Sequence, residues 1–325
     1  MIRGVIEGFY GPPWSRDERL DMIRFCGEVG LTTWVHAPKD DPYHRARWRD
    51  PYPEDELARL AEIVAEGARC GVTVAYALAP GLSIRPDDEG ELERVVAKCE
   101  QVRGAGVRRF QLLWDDLDRA TAPSAAQQAA VTNRVKAAVE QDGPLVVCPM
   151  GYAGCEDTPY RREFATVLER DVVVYWTGPE VVSLAIAREE LDAAVARFGG
   201  NELLIWDNYP VNDWDTSLLF LGPLRGRDPR LWEGRCAGLV ANAMVQAVPS
   251  KLALATVAEY LRDPQVYDPV AAFGRALSRY GAEVVEALDA APADVAPARD
   301  LGELVRRLAL GVGAGTAAAL LRPFV

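Results

Sequence analysis

RFQLLW, residues 109–114, is a short apolar run that follows a helical pattern. In the preceding residues 92–99, apolar side chains recur three and four positions apart, as on the buried face of a helix, and Gly106 marks the end of that helix. A helix, a glycine and an apolar strand in this order are typical of βαβ units, whose strands pair in parallel. The stretch therefore predicts an α/β fold.

Seven further apolar, β-branched runs lie on either side of this one, with helical patterns between them. The eight predicted strands are residues 4–9, 33–37, 72–79, 109–114, 145–148, 172–176, 203–206 and 238–241. Eight alternating units without a break in composition favour a closed (β/α)8 TIM barrel over a doubly wound sheet, and the first βα turn lacks the G-x-G-x-x-G of dinucleotide-binding folds. The 325 residues suit one such barrel of about 250 residues plus an appendage.

Capping residues predict where several helices begin and end. Ser15 followed by Glu18 is a capping box that opens the first helix. The glycines expected at helix ends are Gly30, Gly71 and Gly106. The prolines expected in first turns are Pro159, Pro179 and Pro249.

The strand pattern stops after about Leu261. We therefore expect a barrel domain over residues 1–263 and a short C-terminal helical extension over residues 264–325. The extension contains two alanine-rich helical stretches, residues 269–288 and 300–321, and residues 290–298 between them resemble a linker. These helices would pack on the barrel or on a partner, and the sequence leaves the oligomeric state open.

Composition excludes several classes of partner. Acidic residues outnumber basic ones by 48 to 36, a net charge of −12, so we expect no nucleic acid to bind. No apolar run approaches the roughly 20 residues of a membrane span, and the first residues lack a signal peptide's apolar core. We expect no membrane association and a cytoplasmic location. The six cysteines include no C-x-x-C pair, so neither a zinc site nor a disulfide framework is predicted.

Polar and aromatic residues follow six of the eight predicted strands, at the barrel end that carries active sites in this fold. They are residues 7–11, 37–41, 114–116, 149–152 and 206–208, together with Asn212, Asp213 and Asn242. Carboxylates and amides bind hydroxyl groups, and tryptophan faces cover apolar C–H patches. The predicted pocket therefore suits a sugar.

Asp115 and Asp116 are the best-placed carboxylates for glycoside hydrolysis, which needs a proton donor and a group that stabilises the oxocarbenium-like centre. Adjacent residues that leave a strand point in different directions, so the pair does not suit a nucleophile and an acid on opposite faces of the sugar. Both could reach different atoms of one substrate, as in a mechanism where the substrate's own acetamido group is the nucleophile.

Structural interpretations of the same residues stay open at this point. The aspartate pair could cap a helix, and Lys39 could belong to a surface ion-pair cluster with Asp40 and Asp41. The aromatic residues could be rim residues that cap the core and have no other role. Those aromatic residues are Tyr10, Tyr152 and Trp206. Only two histidines exist, His36 and His44, which argues against histidine-based metallohydrolases and Ser-His-Asp triads.

At these strand ends the sequence resembles glycoside hydrolase family 84, the β-N-acetylglucosaminidases that include protein O-GlcNAcases and bacterial hyaluronidase-like enzymes. The matching segments occur in order over nearly the whole predicted barrel. They are GVIEGFYGPPW (4–14), APKDDPYHRARWR (37–49), ALAPGL (77–82), LLWDDLD (112–118), CPMGY (148–152), WTGPEVVS (176–183), IWDNYPVNDWD (205–215) and LFLGPLRGR (219–227).

The resemblance implies a retaining hydrolase of terminal β-linked GlcNAc with no metal or organic cofactor. Asp115 would polarise the acetamido N–H so that its carbonyl oxygen attacks the anomeric carbon and forms an oxazoline. Asp116 would protonate the leaving oxygen and then activate water, and Tyr152 would bind the acetamido oxygen. The residues implied to bind the rest of the sugar are Gly8, through its carbonyl, Lys39, Trp206, Asn208, Asp213 and Asn242.

Three alternatives remain from the sequence. The barrel could bind sugars without catalysis, it could be a hydrolase that holds a divalent metal with acidic residues, or it could apply the same chemistry to hyaluronan or other GlcNAc oligosaccharides. The natural aglycone, whether protein, hyaluronan, peptidoglycan or chitin fragments, is not determined. The amino-terminal domain and helical stalk of larger family members are not expected in this chain.

Overall fold

The structure is a computed structural model that describes residues 1–290 and 293–325. Eight parallel strands form a closed barrel in chain order. They are β1 (Ile2–Glu7), β2 (Thr33–His36), β3 (Thr73–Leu78), β4 (Arg109–Leu113), β5 (Val146–Cys148), β6 (Val173–Trp176), β7 (Leu203–Asp207) and β8 (Cys236–Asn242). The predicted (β/α)8 barrel is confirmed, and each predicted strand overlaps an observed one.

Helices surround the barrel and continue beyond it. Those of the barrel are α1 (Arg16–Val29), α2 (Glu54–Cys70), α3 (Glu89–Gly104), α4 (Ala125–Ala138), α5 (Pro159–Val167), α6 (Arg188–Arg197) and α7 (Ala247–Arg262). Those of the extension are α8 (Pro269–Ala287), α9 (Leu301–Leu308) and α10 (Ala314–Leu321). The boundary predicted after residue 263 falls between α7 and α8 and stays a prediction.

Most of the predicted helix signals are found in place. Ser15 and Glu18 form the expected capping box of α1. Gly30 and Gly71 end α1 and α2 in the left-handed conformation, with φ of 85° and 70°. Pro159 is the first residue of α5, and Pro249 lies in the first turn of α7.

Two expectations about helices were wrong. Pro179 lies in the loop after β6, well before α6, because the Ser183 hydroxyl closes a turn there by accepting from the Glu180 N–H at 3.1 Å and donating to the Thr177 carbonyl at 3.0 Å. The seventh βα unit has no α-helix, since residues 208–235 run from β7 to β8 with only a 3-10 turn at Leu231–Glu233. This long connection borders the site described below.

Apolar side chains pack in two layers. A smaller cluster fills the inside of the barrel, with Ile6, Val35, Leu113 and Val240 completely or almost completely buried. A larger cluster lies between the strands and the helices and continues into α8, α9 and α10. The alternation of side chains along each strand separates the two layers.

The C-terminal extension packs on the barrel, chiefly through α8 against α7 and through Tyr280 of α8, whose ring centroid lies 5.1 Å from that of Phe25 in α1. The second predicted stretch, residues 300–321, is two helices rather than one, because Gly311 adopts a left-handed φ of 79° and breaks it. Part of the predicted linker, Ala291 and Pro292, lies outside the described residues. No helix in the described part of the chain has the length and apolarity needed to cross a membrane.

Candidate active site

A cavity of about 330 Å³ opens at the carboxyl ends of the barrel strands. All nine residues predicted for the site line it, although they are spread over 235 positions of sequence from 8 to 242. They are Gly8, Lys39, Asp115, Asp116, Tyr152, Trp206, Asn208, Asp213 and Asn242. The closed barrel brings them together because all its strands end on the same face.

Asp115 lies on the cavity floor, one residue beyond Trp114, and is 6% exposed. Its Oδ2 forms an ion pair with the Lys39 ammonium, whereas its Oδ1 is buried and has no hydrogen-bond partner among the described residues. Burial raises the pKa of Asp115, but the charges of Lys39 and Arg45 outweigh it and leave that pKa below its ordinary value. Asp115 is therefore an anion with one free acceptor atom.

Lys39 is itself 5% exposed and pairs with Asp115. The surface cluster of Lys39 with Asp40 and Asp41, which the sequence left open, is therefore wrong. Lys39 also lies 5.3 Å from the centre of the Trp206 ring. The helix-cap interpretation of the aspartate pair is wrong as well, because α4 begins at Ala125 and Ser124 caps it.

Asp116 adopts a left-handed φ of 54°, which is rare for a residue other than glycine, and its side chain is exposed to the cavity. Two tyrosine hydroxyls donate to its carboxylate, Tyr152 to Oδ1 at 2.8 Å and Tyr10 to Oδ2 at 2.9 Å. Burial and the neighbouring Asp116 charge raise the pKa of both tyrosines, so both hydroxyls stay protonated and can donate.

Arg45 and Tyr10 complete the surroundings of Asp116, and the sequence did not predict either as a site residue. Arg45 donates from Nη1 to the Tyr10 hydroxyl at 2.6 Å and from Nη2 to the Asp116 carbonyl at 3.2 Å. These contacts make Arg45 a positioning residue for the strained backbone. Tyr10 lies in the strand-end segment 7–11, but no role was assigned to it, and a core-capping ring was an open alternative. Arg45 lies in a loop within the matching segment 37–49, which gave it no role of its own.

Asparagine side chains build the opposite edge of the cavity. Asn242 accepts from the Gly8 N–H at 3.2 Å and donates to Asn208 Oδ1 at 3.0 Å, and Asn208 Oδ1 also accepts from Trp206 Nε1 at 3.1 Å. A Cβ atom on Gly8 would lie 2.6 Å from the Trp206 ring, so only glycine permits this approach. Since the Gly8 N–H is used inside the fold, its predicted sugar contact would use the carbonyl.

The mouth of the cavity combines one carboxylate with apolar side chains. Asp213 accepts from the Tyr10 N–H at 2.9 Å, which ties the connection after β7 to the end of β1. Val181, Val182 and Trp214 line the cavity and are 48%, 43% and 56% exposed. Any part of a bound molecule that extends out of the cavity would contact this apolar surface.

Both histidines are buried, and neither lines the cavity. Burial lowers the pKa of His44 to about 3 and that of His36 well below its ordinary value, so both are neutral. His44 Nδ1 lies 2.7 Å from the Ala77 carbonyl. Within residues 1–290 and 293–325, no three His, Cys, Asp or Glu side chains are grouped so that they could hold a metal ion.

Comparison with known proteins finds relatives in sequence and in structure. The protein O-GlcNAcases of Rattus norvegicus and Mus musculus are each 32% identical to the chain over 276 residues, which are 81% of this chain and 30% of each relative. The chain thus spans less than a third of the length of these relatives. The O-GlcNAc hydrolase of Thermobaculum terrenum, solved as a mutant, superimposes with a TM-score of 0.81 at 33% identity over 88% of this chain and 64% of that one.

A family model described as beta-N-acetylglucosaminidase matches residues 3–291, which is nearly the whole chain. The resemblance inferred from the strand-end segments is therefore confirmed. This chain belongs to the β-N-acetylglucosaminidases of glycoside hydrolase family 84.

Proposed function

We propose that this protein is a retaining β-N-acetylglucosaminidase that removes terminal β-linked GlcNAc by substrate-assisted catalysis. The observation that carries the proposal is the contrast between two adjacent carboxylates. Asp115 is buried, anionic and has one free acceptor oxygen, whereas Asp116 is exposed to the cavity between two tyrosine hydroxyls. A buried acceptor without a partner is costly, so its natural complement is a donor on the substrate.

In the first step, Asp115 Oδ1 accepts the acetamido N–H of the bound sugar and increases the electron density on the acetamido oxygen. That oxygen attacks the anomeric carbon as the glycosidic C–O bond breaks. The leaving oxygen takes the proton of Asp116, which enters this step in its acid form and is protonated again by water in the second step. The product of this step is an oxazoline protonated on nitrogen, whose N–H stays hydrogen-bonded to the Asp115 carboxylate. The Tyr152 hydroxyl, which donates to Asp116 Oδ1 in the structure, turns its one proton to the acetamido oxygen when the sugar binds.

In the second step, water attacks the anomeric carbon from the face that the aglycone left, and Asp116 takes its proton. The oxazoline C–O bond breaks and restores the acetamide. Two displacements on the same carbon retain the anomeric configuration. Lys39, Asn208, Asp213 and Asn242 are the side chains that we assign to the sugar hydroxyls, and Trp206 to the acetamido methyl group.

The experiment compares an aryl β-N-acetylglucosaminide with the matching aryl β-glucoside, and follows the first-formed anomer by proton NMR. We expect turnover of the first only, with initial β product, and competitive inhibition by a GlcNAc-thiazoline. Comparable turnover of the glucoside would contradict substrate assistance, and no turnover of either would favour a barrel that only binds sugars. Unchanged activity in a chelator is expected, whereas loss of activity would favour the metal-dependent alternative.

For the natural substrate, we propose O-GlcNAc on protein, which the names of the curated relatives and the apolar cavity mouth support. We also propose a cytoplasmic location, supported by the six free cysteines, since cytosolic proteins keep their thiols reduced. Profiling on GlcNAc-peptides, hyaluronan and muropeptides tests the first proposal. Cell fractionation tests the second.

A further inference from the structure

The residues that join α9 to α10 contact the long connection after β7. We call residues 309–313 the C-terminal turn. Its Val312 forms an antiparallel bridge with Leu219, in which Leu219 N donates to the Val312 carbonyl at 2.8 Å and Val312 N donates to the Leu219 carbonyl at 3.1 Å. The extension is thus hydrogen-bonded to the segment that borders the cavity.

Side-chain contacts continue from this bridge to the cavity wall. Gly311 is so close to Phe220 that a Cβ atom on the glycine would lie 3.0 Å from the ring edge. The Phe220 ring centroid lies 5.3 Å from that of Trp214, with the planes inclined by 44°. Trp214 lines the cavity mouth. A continuous series of contacts therefore runs from the C-terminal turn through Phe220 to Trp214 at the cavity mouth.

The other side of the same connection is held by the barrel. Asn212, two residues before Trp214, donates to the Leu218 carbonyl and to the Gln246 side chain, both at 2.8 Å, and accepts from the Val245 N–H at 3.0 Å. These bonds fix the backbone beside β8. They do not support the exposed Trp214 ring, whose aromatic neighbour is Phe220.

We propose that the C-terminal turn is a positioning element that holds Trp214 at the cavity mouth and thereby sets the affinity for the aglycone. The inference rests on the proposed glycosidase function for its kinetic consequence, but not for the contact itself. Trp214 is exposed beside Val181 and Val182, where the group attached to the sugar would lie. An aromatic ring held there in one place loses less entropy when it binds an aglycone than a mobile ring does.

The test substitution is Gly311→Ala, and Gly71→Ala is the matched control. Both glycines have a left-handed φ, 79° and 70°, so both variants carry similar backbone strain. A Cβ atom on Gly71 meets nothing within 4 Å, whereas one on Gly311 pushes against Phe220. We expect Gly311→Ala to raise KM for a GlcNAc-peptide about threefold or more with kcat nearly unchanged, as expected when uniform binding is lost. Gly71→Ala should leave KM unchanged.

A double-mutant cycle separates positioning from general damage. If Gly311 acts through Trp214, then Gly311→Ala should have no further effect on KM in a Trp214→Ala background. Full additivity of the two substitutions would overturn the proposal. If Gly311→Ala does not fold, Phe220→Leu takes its place in the cycle, because it removes the ring between Gly311 and Trp214. No further effect on KM in the Trp214→Ala background would then support the proposal, and full additivity would overturn it.

A second measurement does not depend on activity. With 5-fluorotryptophan incorporated, the ¹⁹F resonance of Trp214 is identified by its loss in Trp214→Phe. We expect this resonance to shift in Gly311→Ala and to stay in place in Gly71→Ala. If the wild-type protein has no glycosidase activity and the resonance still shifts in Gly311→Ala, the proposed function is wrong and the positioning contact is kept. If the wild-type protein is an active glycosidase and the resonance does not shift in Gly311→Ala, this inference is overturned.

Discussion

Asp115 and Asp116 are neighbours in sequence, yet their environments suit different tasks. Asp115 is buried beside the Lys39 ammonium, which keeps its pKa low and its charge fixed. Asp116 reaches the cavity because its backbone adopts φ of 54°, and protonated tyrosine hydroxyls hold its carboxylate. A change of backbone conformation at one residue thus separates a fixed anion from a group that can exchange protons with a substrate.

The first prediction separates these two roles. Asp116→Asn should slow alkyl- or serine-linked N-acetylglucosaminides strongly and spare the first step for activated aryl ones, because acid catalysis matters in proportion to how much the leaving group needs a proton. Asp115→Asn should slow both, since the acetamide is mispositioned whatever leaves. A Brønsted series of substituted aryl glycosides measures the difference. If Asp115→Asn showed the steeper dependence on leaving-group acidity, the two roles would have to be exchanged.

The second prediction concerns Lys39 and pH. The charges of Lys39 and Arg45 together outweigh burial, so the pKa of Asp115 lies below its ordinary value. The stability that this charged carboxylate contributes is present above the ordinary pKa and is lost as pH falls through the lowered pKa. In Lys39→Met, the ammonium is lost and only the more weakly acting Arg45 charge opposes burial, so the pKa of Asp115 should rise. The acid limb of the kcat/KM profile should then move up by about one pH unit or more.

Lys39→Arg is the control for this experiment, since it keeps the positive charge while it disturbs the same sugar contacts. Its acid limb should stay near the wild-type position even if kcat/KM falls at every pH. An acid limb that is unchanged in Lys39→Met would show that Lys39 does not hold Asp115 in its charged form.

At the scale of elements, the sequence predicted what local patterns control. Apolar runs located all eight strands. The strand ends and the family resemblance together selected nine residues, and these line one cavity because a closed barrel brings its strand ends together. Patterns of spacing could not show that residues 208–235 lack a helix, since their path depends on contacts with the C-terminal turn. Arg45 was missed for the same reason, because its partners Tyr10 and Asp116 are distant in sequence.

The third prediction concerns the strand that closes the barrel. Gly238 of β8 pairs with Ile2 of β1 at φ of 145°, and a Cβ atom there would lie 1.9 Å from the Ile2 carbonyl oxygen. Gly238→Ala should therefore lower the free energy of unfolding by about 2 kcal/mol or more, through strain and overpacking against backbone. Urea unfolding measures this loss.

Gly30→Ala provides the comparison for Gly238, because Gly30 also has a positive φ, 85°, but has nothing within 4 Å of a Cβ atom. It should cost about 1 kcal/mol from backbone conformation alone. Equal losses of unfolding free energy in the two variants would mean that β8 can move away from β1 without cost, and would contradict the prediction.

At the scale of the whole molecule, charge bears on the choice of substrate. The chain carries a net charge of −12, and the residues at the cavity mouth that are not part of the sugar site are mainly apolar. Hyaluronan has a carboxylate in every disaccharide, so the negative charge of the protein repels it. A neutral GlcNAc-peptide meets no such repulsion. The field of the protein therefore favours neutral aglycones over the polyanionic alternative.

The last prediction uses salt to measure that field. Lowering the ionic strength from 0.15 M to 0.01 M lengthens the Debye length from about 8 Å to about 30 Å, so repulsion reaches farther into solution. We expect kcat/KM for a hyaluronan oligosaccharide to rise about threefold or more with added salt, whereas kcat/KM for a neutral aryl N-acetylglucosaminide should change less than about twofold. A rate on the anionic substrate that falls with salt would reveal a local basic groove at the mouth, and the hyaluronidase alternative would then be preferred.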